Sequence, residues 1–226
     1  PRPLAPMSTV TVTRSGKVAL LRLENLPANA ISRKVVKDLA EALEELERDA
    51  TRALVLLAAG ERFFSAGLDL IVLHDLDRPA IEVFSKDFIG VLLRLFRFPA
   101  PVVAAVNGHA VAGGAILALT ADRRILTRGD QLFGLNEVQV GLPLPGPLFE
   151  VVRSALGPRE ASGVLLEGRN YGVDDALRIG LAHDVVERQE LELRALALAE
   201  KLSRIPQSAY RRMKELNAAG PPLLGE

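Results

Sequence analysis

The chain predicts an α/β fold built around a largely parallel sheet, and three observations carry that expectation. Residues 53–59 form an uninterrupted apolar run of strand length, the pattern of a strand covered on both faces. The segment before it, from Ser32, repeats its apolar residues at helical spacing, which makes the helix a crossover between strands. A second strand–helix–strand unit is centred on residues 101–106 and the pair Gly113-Gly114.

Taken in order, residues 10–12 and 18–23 are rich in β-formers and flank Ser15-Gly16, a hairpin signal. Residues 27–31 connect to Ser32, whose hydroxyl suits the cap of a helix burying Val35, Val36, Leu39, Leu43 and Leu46 on one face. After the 53–59 strand, Glu61 to Leu70 is a small-residue turn, placed where open α/β sheets bind ligands. Residues 81–98 read as an amphipathic helix ended by Pro99 and Pro101. The 101–106 strand, the glycine pair with an apolar helix, a short strand at Arg123-Arg124-Ile125-Leu126 and a turn bearing Glu137 follow. Beyond Pro145 the pattern is helical: 148–156, 158–166, 173–179, 190–204 and 206–217, with a short strand at 183–187 and a frayed tail from Pro221. The expected organisation is a core over 8–145 and a C-terminal helical region over 146–226.

Composition narrows the function. Acidic and basic residues balance at 28 each among 226, so the totals point to neither nucleic acid nor an anionic membrane. Cysteine is absent, which excludes disulfides, thiol catalysis and zinc–thiolate sites, and three histidines make a metal cage an unpromising reading. The apolar runs are too short or too interrupted to span a bilayer, and residues 1–6 lack a secretory leader's pattern. A bacterial cytoplasm is the expected location.

The candidate chemistry lies between Asn107 and Pro145. Paired glycines at a helix start offer bare N–H groups to negative charge, and Glu137 is a carboxylate among apolar neighbours, a setting that suits proton transfer. Ser65 has no nucleophile elbow around it and reads as a turn residue. Asp69 reads as a helix cap, and His109 as structural.

Three stretches resemble the crotonase, or enoyl-CoA hydratase/isomerase, superfamily. Phe64-Ser-Ala-Gly-Leu-Asp69 resembles its first oxyanion loop. Asn107-Gly-His-Ala-Val-Ala-Gly-Gly-Ala115 resembles the second loop and its helix, and Phe133-Gly-Leu-Asn-Glu-Val-Gln-Val-Gly-Leu-Pro143 the segment presenting a catalytic acid. The resemblance runs from about Val10 to about Asn217 and implies a spiral of ββα units followed by C-terminal helices. Family members usually continue with further helices that help build a trimer. Hydratases of the family carry a glutamate where this chain has Ile116, so the pattern is most like the Δ3,Δ2-enoyl-CoA isomerases.

The resemblance implies a mechanism. The backbone N–H groups of Leu68 and Gly113 would hold the thioester oxygen, with the helix start adding its positive end. Glu137 would move a proton from C2 to C4, and Ile116, Leu135, Val138 and Val140 would keep its surroundings dry. Substrate contacts are expected from Ser65, Ala66, Gly67, Leu68, Asp69, Gly113, Ile116 and Asn136. Main-chain groups near Ala28 and Ala30 are expected to hold coenzyme A, with Arg33, Lys34 or Arg62 open as phosphate partners. No metal or separate cofactor is implied, coenzyme A being part of the substrate. The expected assembly is a homotrimer or a pair of trimers. The alternatives are another acyl-CoA reaction on the scaffold, hydratase-like or hydrolytic, and a non-catalytic acyl-CoA-binding homologue.

Overall fold

The computed structural model describes residues 8–49 and 51–219; the expectations for residues 1–6 and for the tail from Pro221 lie outside them. β1 (Val10–Ser15) and β2 (Val18–Leu23) pair antiparallel, with Gly16 at φ +58° in the turn. The Ser32 side chain accepts the Val35 N–H and starts α1 (Arg33–Arg48), whose five expected apolar residues are all buried. α1 crosses to β3 (Ala53–Ala58), which lies parallel to β2 and is buried along its whole length. After β4 (Phe63–Ser65) and the short α2 (Leu70–His74) comes α3 (Arg78–Phe96).

α3 begins three residues before the sequence expectation and ends before Phe98. Asp77 caps it through the Ala80 N–H, and Pro79 occupies a first-turn position where no N–H is needed. β5 (Val102–Val106), β6 (His109–Val111), α4 (Gly113–Leu119), β7 (Arg123–Thr127) and β8 (Leu132–Gly134) lead to a 3-10 turn over Glu137–Val140. Then follow α5 (Gly146–Leu156), α6 (Pro158–Glu167), β9 (Asn170–Gly172), α7 (Val173–Arg178), β10 (Asp184–Val186), α8 (Leu191–Ser203) and α9 (Gln207–Ala219).

The strands form two sheets. The larger has the order β1-β2-β3-β5-β7-β10 and is parallel after its first hairpin. Alternate residues of its strands face opposite ways. Leu21, Leu54, Leu56, Val102 and Ala104 pack toward α1, α3 and α4, while Leu20, Val55, Leu57, Val103 and Ala105 pack against Leu191, Ala195 and Ala199 of α8. Two-sided cover explains the all-apolar runs. The smaller sheet, β4-β6-β8-β9, is made of three-residue strands and has no counterpart in the sequence reading. β9 and β10 place residues beyond 145 in both sheets, so that point marks a shift toward helix rather than a break in packing.

Candidate active site

β4 delivers a tight loop, residues 66–69, to the start of α4. The Ser65 hydroxyl is buried; it donates to the Asn29 carbonyl at 2.8 Å and accepts the Gly67 N–H at 3.2 Å. Ser65 therefore shapes the turn. The connector before α1 is laced to the same loop: Ala66 N–H donates to the Ala28 carbonyl at 3.0 Å, Ile31 N–H to the Gly67 carbonyl at 2.7 Å, and Asp69 N–H to the Ile31 carbonyl at 3.1 Å. The Ala30 carbonyl is taken by the Asn25 amide at 2.7 Å. Asn29 holds this corner at φ +47°, with its side-chain amide donating to the carbonyls of Ala59 and Phe63. Its role had no signal in the sequence beyond the tolerance of asparagine for that conformation.

Leu68 N–H, between these lacing bonds, has no acceptor among the described residues, nor has Gly113 N–H in the open first turn of α4. The two are neighbours. A Cβ placed on Gly113 would lie 3.6 Å from the Leu68 nitrogen, and one on Gly67, at φ +85°, would lie 3.0 Å from the Gly113 nitrogen. Gly114 is closer still to the loop: a Cβ there would run into the Ser65 carbonyl oxygen. Ala112, which precedes the helix, sits at φ +49° and ψ −128°, a conformation normally left to glycine. A strained residue and an obligatory glycine thus bracket the Gly113 N–H. Two fixed donors on one side of a pocket can share a single negative oxygen.

Both donors open into a chamber of about 390 Å³ lined by residues from α3, α4, α5 and the segment 136–145. Ala66, Leu68, Gly113, Ile116, Asn136 and Glu137 all line it. Among the described residues Glu137 is its one ionisable side chain, half-buried, and burial pushes its carboxyl above the usual range, partly offset by its own backbone N–H. Ile116, only 1% exposed, forms part of the wall.

Other expected residues fall elsewhere. Asp69 accepts the Val72 N–H and caps α2. Val140 lines the chamber, whereas Val138 lies against Gly168, and Leu135 is in the core rather than the lining. In a 3-10 turn, residues two apart do not share a face, which separates Val138 from Val140. His109 accepts the Leu132 N–H through Nδ1 at 3.0 Å and ties β6 to β8. Lys34 pairs with Asp38 at 2.6 Å, Arg62 lies over the Phe63 ring, and Arg33 borders a groove between α1 and α3. Ser85, Phe88 and Ile89 of α3 and Leu148 of α5 line the chamber and were not singled out by the sequence reading, because their roles depend on how those helices pack. Among the described residues, no group of three or more His, Asp or Glu side chains converges as a metal site would require.

The chain is similar to known proteins over nearly all of this architecture. Carnitinyl-CoA dehydratase of Escherichia coli K12 is 33% identical over 207 residues, spanning 91% of this chain and 78% of its own length. The crystal structure of human mitochondrial Δ3,Δ2-enoyl-CoA isomerase superposes with a TM-score of 0.88 at 30% identity, covering 93% of this chain and 85% of that one. An enoyl-CoA hydratase from Mycobacterium marinum gives 0.85 at 28% identity, covering 93% and 92%. With the family model for enoyl-CoA hydratase/isomerase matching residues 13–220, the chain belongs to that family.

Proposed function

We propose that the protein is an enoyl-CoA isomerase that moves a 3-enoyl-CoA double bond to the 2-position. The observation that carries this reading is the chamber's single ionisable side chain among the described residues, Glu137, in a wall whose Ile116 has no proton to give or take. Isomerisation needs one base, which is regenerated in each turnover. The thioester oxygen would accept the Leu68 and Gly113 N–H groups, so that negative charge on it is stabilised as the C2 proton leaves; each such donor contributes about 3–4 kcal/mol. Glu137, now a carboxylic acid, would return the proton at C4 of the dienolate. Its raised pKa favours the abstraction, since a carboxylate held above its ordinary range is the stronger base. The apolar lining excludes the water that would compete for the proton.

Dehydration is the second reading, favoured by the similarity to carnitinyl-CoA dehydratases. Elimination of hydroxide from a 3-hydroxyacyl thioester calls for a proton donor to the leaving oxygen as well as a base at C2. Ile116 supplies none, and Glu137 would have to serve both roles. The deciding experiment follows conjugation of a 3-enoyl-CoA, and separately hydration of a 2-enoyl-CoA, with the wild type and Glu137→Gln. The isomerase reading expects rapid conjugation, little hydration, and a fall of about 10²–10⁴ in kcat for the variant. Faster hydration than conjugation would hand the site to the dehydratase reading. An unimpaired Glu137→Gln would remove Glu137 from the mechanism.

A further inference from the structure

We propose that the chamber takes long-chain acyl thioesters, with the distal part of the chain lying outside it on an apolar collar at the mouth. The proposal rests on the acyl-CoA reading of the site and names its substrate class. Inward, the chamber is closed by Phe88, Ile116 and Leu148, buried side chains from α3, α4 and α5, with α5 packed against the other two helices. At about 30 Å³ for each water-sized group, its volume of about 390 Å³ holds roughly thirteen such groups. The thioester and the end of the pantetheine arm take part of that space. A chain of sixteen carbons exceeds the remainder and has to leave through the mouth.

The mouth is built for that exit. Leu70, Val140 and Leu142 line the chamber and yet are 64%, 68% and 51% exposed. The same short helix also exposes Ile71, at 84%, and Val72, at 41%, next to Leu70 in the chain. Single exposed aliphatic residues are ordinary, but a group continuous with a binding cavity marks a contact surface. Continuity also identifies the occupant: a chain leaving the chamber meets this collar first. Among the described residues the lining offers no carboxylate besides Glu137 to receive a cationic acyl group and no ring of polar groups for a hydroxylated one.

The test titrates saturated butyryl-, octanoyl-, dodecanoyl- and hexadecanoyl-CoA, below their micelle thresholds, into the wild type and an Ile71→Ser/Val72→Ser variant. Saturated thioesters require no chemistry, so the outcome is independent of whether the enzyme isomerises. A fully buried methylene is worth about fourfold in affinity, and half-burial on a collar about twofold. We expect hexadecanoyl-CoA to bind at least tenfold more tightly than octanoyl-CoA, and the double variant to lose most of that gain while keeping the butyryl-CoA affinity. A plateau at octanoyl-CoA overturns the proposal, as does a variant that tracks the wild type at every length or weakens all lengths equally. An altered sedimentation coefficient with an unchanged chain-length series would assign the collar to contact between copies and overturn it too. Failure of every acyl-CoA to bind would overturn the acyl-CoA reading itself.

Discussion

Gly114→Ala is the sharpest test of the site's geometry. An added Cβ would stand 2.8 Å from both the Ser65 carbonyl carbon and its Cβ, and nearer still to the carbonyl oxygen. None of these atoms can rotate away, because two belong to the backbone and the third is fixed to it. The end of β4 and the start of α4 must therefore part, carrying Leu68 N–H and Gly113 N–H away from their shared focus. A misplacement of roughly 1 Å costs about 10² in rate, and outright loss of one oxyanion donor about 10²–10³, or about 2.7–4 kcal/mol. Overpacking adds about 1–3 kcal/mol of lost stability. The assay is kcat for conjugation of a 3-enoyl-CoA, read beside a thermal melt. Gly163→Ala in α6 is the control: its Cβ would meet nothing within 4 Å, and removing a helical glycine should stabilise by about 0.5–1 kcal/mol with kcat unchanged. A folded Gly114→Ala enzyme with wild-type kcat would refute the claim that this close approach sets the donors.

Three further outcomes rest on the same geometry and burial. Ala112→Gly should raise the melting temperature, since relief of about 1–3 kcal/mol of backbone strain exceeds the roughly 0.5–1 kcal/mol entropic cost of glycine; a lower melting temperature would show that Ala112 is not strained. Glu137→Gln should be more stable than the wild type at pH 7, with the gap closing in acid. Burial raises the folded-state pKa of Glu137, so its stabilising contribution is full below the ordinary value of 4.5 and is lost as pH rises through the folded value; urea midpoints at pH 7 and pH 4 measure the gap. His183 shifts the other way, down to about 4, through burial and the charges of Arg124 and Arg123, and its Nδ1 accepts the Arg124 N–H. The unfolded chain then takes up a proton near pH 6.5 that the folded chain refuses, so stability falls between about 6.5 and 4, and His183→Ala should flatten that fall.

Elements that carry their own periodicity were readable from the sequence. α1 needs only Ser32 to start it and one apolar stripe to dock it, and β3 needs only two covered faces. The start of α3 was missed because apolar spacing begins at Ile81, whereas the helix begins with a cap and a proline, signals of another kind. The smaller sheet was invisible for a different reason. A three-residue strand has no period to detect, and its existence rests on partners far along the chain: Phe63 beside His109, Ala110 beside Phe133, and Phe133 beside Tyr171.

The site divides along a related line. The proposed backbone donors came from the resemblance of residues 64–69 and 107–115 to the family's two loops, and the close approach of those loops explains the glycines there: Gly67, Gly113 and Gly114. Glu137 stood out through the segment 133–143 that resembles the family's, since a single loop carboxylate by itself reads as an ordinary solvated residue. The chamber's shape left no such trace. Phe88 and Leu148 are ordinary helix-interior residues by sequence, and Val140 differs from Val138 only through the pitch of a single 3-10 turn. Chemistry needs particular atoms and writes them into the sequence, whereas specificity needs only a surface, which many apolar sequences can supply. Substrate length is therefore to be sought in the packing of α2, α3 and α5 around the mouth, where the motifs are silent.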